Sequence, residues 1–184
     1  MAELGVALIG AGMVAATHLA AIRDANGLRL TGIWSRDPAR AQASAPGARV
    51  YPDLAAVAAD PDVTFAIVIT PPNARAAIIA PLVAAGKHIL LEKPVARDLA
   101  EARAVVDLCA DAGVTLGVVF QHRMREASQA AAALVASGDL GPLGLAEINV
   151  PWWREQAYYD APGRGTYARD GGGVLISQAI HTID

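Results

Sequence analysis

The sequence predicts a doubly wound parallel α/β sheet over its first two thirds. Three observations carry this expectation. Short aliphatic runs alternate with Ala-rich helical stretches, only a few residues connect them, and the runs are continuous rather than alternating. Continuous apolar runs mark strands covered on both faces, as parallel strands are.

The elements follow in order. Val6–Ile9 reads as a buried strand, Gly10–Gly12 as the turn after it, and Met13–Ala25 as a helix ending near Asn26-Gly27. Leu28–Trp34 is the second strand, and Pro38 opens a helix over Ala39–Ala45. A short extended piece, Arg49–Tyr51, precedes a small helix, Asp53–Ala59. Phe65–Ile69 is bounded by Asp60-Pro61 and Pro71-Pro72 and reads as a strand; Asn73 caps the helix running to Ala85, which Gly86 stops. His88–Leu91 is the next strand, then come a helix over Leu99–Ala112 and a strand over Thr115–Val119. Such a rhythm with short links winds a sheet on both sides.

After Phe120 the character changes. Here Arg125–Ser137 reads as a helix, Gly138–Gly144 as a turn region and Leu145–Trp153 as a strand. Two of the three Trp and three of the four Tyr fall between Trp152 and Tyr167, which suits a pocket wall, an interface or a small second core.

Composition narrows the function classes. Hydrophobic residues make up 54% of the 184-residue chain and charged residues 18%, which excludes disorder; aromatics at 5% leave the core to Ala, Val, Ile and Leu. A net charge of −3 gives no electrostatic reason for nucleic acid or an anionic membrane. The single cysteine, Cys109, excludes an intramolecular disulfide framework and CxxC metal sites, and suits the reducing cytoplasm. Its plain reading is a small apolar residue in a helix. Leu4–Ile22 carries no formal charge and approaches the length of a membrane span. Gly10 and Gly12 interrupt it and no Lys or Arg precedes it, so strand, turn and helix explain it better than a span or a signal peptide.

The chemistry begins at Gly10-Ala11-Gly12-Met13-Val14-Ala15, a GxGxxA sequence between a strand and a helix. The first Gly permits the tight turn, the second lets backbone approach a pyrophosphate, and the third small position lets helix and strand pack closely. Free N–H groups and the positive end of the helix dipole then stabilise the phosphates. At the end of the second strand, where an acid would bind the ribose 2′-hydroxyl of NAD, stands Ser35-Arg36-Asp37. Arg36 could pair a 2′-phosphate, which favours NADP; Asp37 keeps NAD open, and Arg36 as a solvated loop charge is an equal reading. Glu92-Lys93-Pro94 follows a strand at the carboxyl edge of the sheet, where ligands bind in such folds. Desolvation there can bring a Lys to a pKa of roughly 7–8, suited to proton transfer. His18 is read as packing near the dinucleotide; His88 and His122 lack ligand spacing, so no metal is expected.

Together with Thr70-Pro71-Pro72-Asn73, Ala85-Gly86-Lys87-His88 and the stretch from Gly171-Gly172-Gly173-Val174-Leu175 to His181-Thr182-Ile183-Asp184, these motifs make the chain resemble the Gfo/Idh/MocA oxidoreductases over essentially its whole length. The resemblance implies an N-terminal Rossmann domain, residues 1–120, followed by a truncated second α/β domain, residues 121–184, the incomplete start of a C-terminal open-faced α/β sheet that supplies substrate contacts and a homo-oligomer surface. It implies NAD(P)-dependent oxidation or reduction of a hydroxyl- or carbonyl-bearing carbon on a sugar, cyclitol, other polyol or dihydrodiol. Lys93 resembles the family's catalytic-site lysine, contacting both substrate and the nicotinamide region of the cofactor, and His181 its acid/base or substrate-orienting histidine, for which an imidazole is suited. Thr70, Pro71 and Glu92 resemble cofactor-lining positions, joining Gly10, Gly12, Met13, Val14, Ser35 and Arg36. Gln121 and Arg123 resemble the segment facing nicotinamide and substrate, and Arg164 a group reaching a phosphate or carboxylate. Some relatives are co-regulators of transcriptional repressors, so a non-catalytic dinucleotide sensor is the rival reading.

Three departures from the pattern stand out. Ser177, a substrate-site candidate, takes the place of an Asp four residues before the histidine; Arg75 replaces a His and reads as a peripheral change; and family members run well beyond this chain's end. The 184-residue form, a fragment or a truncated product, is expected to bind dinucleotide but to turn over poorly, its half-built sheet inviting association.

Overall fold

The computed structural model describes residues 3–184. Five strands, β1 (Leu4–Ile9), β2 (Leu28–Trp34), β3 (Phe65–Val68), β4 (His88–Glu92) and β5 (Leu116–Val119), form one sheet in the order β2-β1-β3-β4-β5. All four pairings are parallel. The helices between them are α1 (Ala15–Asp24), α2 (Pro38–Ser44), α3 (Leu54–Ala59), α4 (Arg75–Ala84) and α5 (Leu99–Asp111). After β5 come α6 (Glu126–Ser137) and four single-turn helices: α7 (Gln156–Tyr159), α8 (Tyr167–Asp170), α9 (Val174–Ser177) and α10 (Ile180–Ile183).

Alternation along each strand divides the core in two. On one face Ala7, Ile9, Ala66, Val68, Ile89 and Leu91 pack against Val57, Ile79, Leu82, Val83, Val105 and Cys109 of α3, α4 and α5. On the other, Val6, Leu8, Ile33 and Ile67 meet Ala15 and Ile22 of α1 and Ala41 of α2. Each fully buried Val, Leu or Ile contributes about 1.5–3 kcal/mol. Cys109 is one more buried apolar group of this core.

Register sets where the chemistry emerges. Ile9 pairs with Trp34 on one side and Val68 on the other, so Gly10, Ser35 and Ile69-Thr70 leave the sheet level with one another. Glu92 pairs with Val119, which brings Lys93 and Phe120-Gln121 out together. Strand order reverses about β1, and the loops at the carboxyl ends of β1 and β3 therefore diverge to opposite faces and leave a crevice.

Several expectations need correcting. Helix α1 starts at Ala15, because Met13 and Val14 remain in the turn. Asn73 caps nothing: Pro72–Ala74 tightens into a 3-10 turn, and α4 begins after it with no side-chain cap. Leu145–Trp153 forms no strand, since no segment among the described residues pairs with it, and Leu145 and Trp153 stand 86% and 83% exposed. The aromatic segment is not a second core either, Tyr167 being 82% exposed. The uncharged stretch Leu4–Ile22 divides into β1, turn and α1; among the described residues no helix is long and apolar enough to cross a membrane.

Candidate functional site

The turn after β1 has the geometry that its glycines permit. Gly10 sits at φ +118°, donates its N–H to Trp34 O at 2.7 Å, and a Cβ there would fall 2.9 Å from Ile69 Cγ1. A Cβ on Gly12 would meet nothing within 4 Å: this face of the turn is open. Ala15, the first residue of α1, is buried against the sheet, its N–H closing onto Gly12 O at 3.0 Å. No side chain caps α1 and no acid occupies its first turn, so its positive end is available to an anion.

A cleft of about 240 Å³ opens over this turn, walled by Gly10, Gly12, Ser35, Arg36, Thr70 and Pro71 among others. Thr70 Oγ1 is buried there without a hydrogen-bond partner. An open glycine face, an uncapped helix start and an orphaned hydroxyl fit a dinucleotide phosphate group. Met13 and Val14 shape the turn, with Met13 71% exposed; Glu92, Lys93 and Gln121 stand outside this wall.

At the ribose end the acid is already engaged. Asp37 Oδ1 accepts from Ala39 N at 3.0 Å and Arg40 N at 3.3 Å, capping α2, while its Oδ2 lies 3.4 Å from Arg40 Nε. Ser35 Oγ accepts from Asp37 N at 3.3 Å. Arg36 lines the cleft without an acidic partner within 4.0 Å among the described residues.

A second cluster forms where the chain returns. Lys93 Nζ donates to Ser177 O at 2.7 Å, and the Lys93-Pro94 peptide is cis. Desolvation holds the Lys93 pKa below its ordinary value. His181 is 8% exposed, and its Nδ1 is buried without a partner. Desolvation, then the nearby Lys93 and His122, lowers its pKa to about 4, so the ring is neutral at pH 7. His122 stacks on it with centroids 4.6 Å apart and planes at 26°, and meets Trp152 edge-on at 5.9 Å. Glu92 turns inward, one oxygen 3.0 Å from His18 Nε2 and the other accepting from Lys93 N at 3.1 Å. His18 thus braces this loop from α1.

The remaining candidates are placed differently. Ser177 takes part through its carbonyl, while its hydroxyl turns back to Gly173 O at 2.8 Å. Arg123 is held by Asp184, and Gln121 is exposed in the 3-10 turn Gln121–Met124. Arg164 lies over the Tyr158 ring at 4.3 Å with Nε buried and unpartnered.

Sequence reasoning gives two residues no role in the site. His122 carries no motif and acquires its place only when α10 folds onto the end of β5. Arg75 is not peripheral: it is 3% exposed, and its guanidinium donates to Thr70 O at 3.0 Å and Val95 O at 3.4 Å. It ties the cleft wall to the loop carrying Lys93, and burial lowers its pKa to about 10. Its long separation from Val95 leaves no local signal.

A family model described as an oxidoreductase family with an NAD-binding Rossmann fold matches residues 4–120, and a GFO/IDH/MocA C-terminal domain model matches residues 128–184. D-apiose dehydrogenase of Rhizobium rhizogenes is 29% identical, the alignment covering 100% of this chain and 53% of that protein. D-glucoside 3-dehydrogenase of Escherichia coli is 33% identical over 98% of this chain and 52% of its own length. The crystal structure of the WlbA dehydrogenase from Bordetella pertussis, in complex with NADH and UDP-GlcNAcA, superposes with a TM-score of 0.92 at 30% identity. It covers 100% of this chain and 56% of that one. The chain thus spans about half the length of the curated relatives it matches.

Proposed function

From the premise that this chain belongs to the Gfo/Idh/MocA family of oxidoreductases with an NAD-binding Rossmann fold, we propose that it forms the cofactor-binding half and part of the substrate site of a sugar or polyol dehydrogenase. One observation carries the reading: Lys93, at the end of β4, and His181, in α10, converge on one cluster at the same sheet edge as the open glycine turn. Residues 1–120 are the dinucleotide unit in this reading, and 121–184 begin the substrate unit.

Gly10, Gly12, Ser35, Arg36, Thr70 and Pro71 would hold the dinucleotide, which when bound accepts or supplies the hydride. Met13 and Val14 shape its phosphate turn, and Glu92 and Gln121 frame the nicotinamide end. Lys93 holds and polarises the substrate oxygen. His181, kept neutral by burial, takes the hydroxyl proton in the oxidation direction or returns it in reduction. Ser177 orients Lys93 through its carbonyl, and Arg164 is a cation for an acidic or polyhydroxylated substrate; Arg123 would serve one only on leaving the Asp184 carboxylate.

NADP is the favoured cofactor, because Asp37 spends its carboxylate on α2 and Arg40 whereas Arg36, in the cleft, has no acidic partner among the described residues. Association with a second copy belongs to the same reading. It is supported by α6, where Leu134 and Val135 are 46% and 50% exposed. A non-catalytic sensor is the second reading; Ser177 favours it, since no carboxylate at that position offsets charge on His181.

The test is titration of the protein with NADPH and NADH by nucleotide fluorescence, followed by absorbance at 340 nm with NADP+ or NAD+ as hydride acceptor over sugars, polyols and dihydrodiols. Dinucleotide binding with slow turnover of one such class is expected. Binding without turnover of any of them supports the sensor, and failure to bind either nucleotide overturns the proposal.

A further inference from the structure

The dinucleotide cleft is not walled by residues 1–120 alone: Arg169, from α8, lines it beside Gly12, Arg36 and Thr70. Its placement is built in. Helix α8 packs on the 3-10 turn Pro72–Ala74, directly below the cleft wall. Arg97 Nη1 donates to Ala168 O at 2.9 Å, fixing the residue before Arg169 to the loop that follows Lys93-Pro94. Gly171, at φ +85°, is so close to the Arg97 backbone that any side chain there would collide with it. The segment is thus pinned on both sides of Arg169.

The charge of Arg169 is only loosely balanced. Asp170 Oδ2 accepts Gly165 N at 2.7 Å and lies 3.8 Å from the Arg169 guanidinium, beyond hydrogen-bond reach. An arginine that shares this cleft with an open glycine turn, an orphaned threonine hydroxyl and two further arginines, Arg36 and Arg40, is suited to phosphate oxygens.

We propose that Arg169 contacts a phosphate of the bound dinucleotide, closing the cleft from the second half of the chain and linking cofactor occupancy to the order of residues 163–172. This rests on the dinucleotide reading above. The chemistry it recognises is a phosphate dianion or the pyrophosphate, and the two cofactors separate these sources, since NADH lacks the 2′-phosphate.

The experiment compares NADH and NADPH affinities of the wild-type protein, Arg169→Gln and Arg169→Lys, with circular dichroism confirming the fold. Arg169→Gln is expected to weaken binding about ten- to a hundredfold, as loss of a charge-assisted hydrogen bond does, and Arg169→Lys to recover part of it. Equal loss for both nucleotides assigns the pyrophosphate, and loss for NADPH alone the 2′-phosphate; either supports the proposal. Amide exchange over residues 163–172 should slow on adding nucleotide in the wild type and not in Arg169→Gln. Wild-type binding that Arg169→Gln leaves within twofold for both nucleotides overturns this inference alone. A wild type that binds neither overturns it together with the dinucleotide reading.

Discussion

Lys93 and Ser177, 84 residues apart in sequence, are joined by a 2.7 Å hydrogen bond from the lysine Nζ to the serine carbonyl. The bond anchors α9, and through it His181, to the end of β4. It also leaves the lysine two further N–H donors for a substrate oxygen.

Removal of the ammonium should therefore affect turnover more than cofactor binding. Lys93→Met is expected to lower kcat with a sugar or polyol substrate by about 10²–10⁴-fold, the usual scale for a positioned proton-transfer or polarising group. NADPH affinity should change less than about threefold, because the nucleotide cleft does not include Lys93. The 340 nm rate and a fluorescence titration on the same preparation check both halves.

Gly10 and Gly12 should separate stability from binding. At Gly10 a side chain meets both φ +118° and Ile69 at 2.9 Å, so Gly10→Ala is expected to cost about 1–3 kcal/mol in urea unfolding. At Gly12 the space is open, so Gly12→Val should leave the unfolding midpoint nearly unchanged and abolish nucleotide binding by filling the face where phosphate would lie.

The turn and the five strands were legible because each is specified locally: a continuous apolar run, then Gly, Pro or Asp punctuation. The Leu145–Trp153 stretch has strand-forming residues as well, yet a strand exists only when another pairs with it, and sequence pattern carries no such information. Lys93 and His181 were read from motifs, whereas His122 and Arg75 were not, since their partners come from elements distant in sequence. A charged residue at a helix start reads as solvated unless its acceptors are known, and those of Arg75 are carbonyls supplied by two separate loops.

Arg75 should accordingly behave as a structural keystone of the cleft. Arg75→Met keeps much of the buried stem but leaves Thr70 O and Val95 O without this donor. A loss of about 1–3 kcal/mol in unfolding free energy is expected. Nucleotide affinity should fall as well, because Thr70 is a wall of the cleft. Unchanged unfolding in Arg75→Met would show that neighbouring groups or water satisfy both carbonyls.

His181 makes a pH prediction whose sign follows from its folded-state pKa of about 4, below the ordinary histidine value near 6.5. Between these values the unfolded chain binds a proton that the native ring refuses. Unfolding free energy therefore rises with pH across this window, and the contribution is fully present above about 6.5 and lost as pH falls through about 4. The full effect is on the order of 3 kcal/mol. Urea unfolding at pH 7.0 and 4.5 should show the slope in wild type and a shallower one in His181→Asn, which cannot titrate. Substituting His122 by Phe keeps a stacking ring while removing its charge, so the His181 ring, followed by NMR, should titrate at a higher pH than in wild type. An unshifted titration in His122→Phe would leave burial and Lys93 as the groups that keep His181 neutral, and would reduce His122 to packing alone.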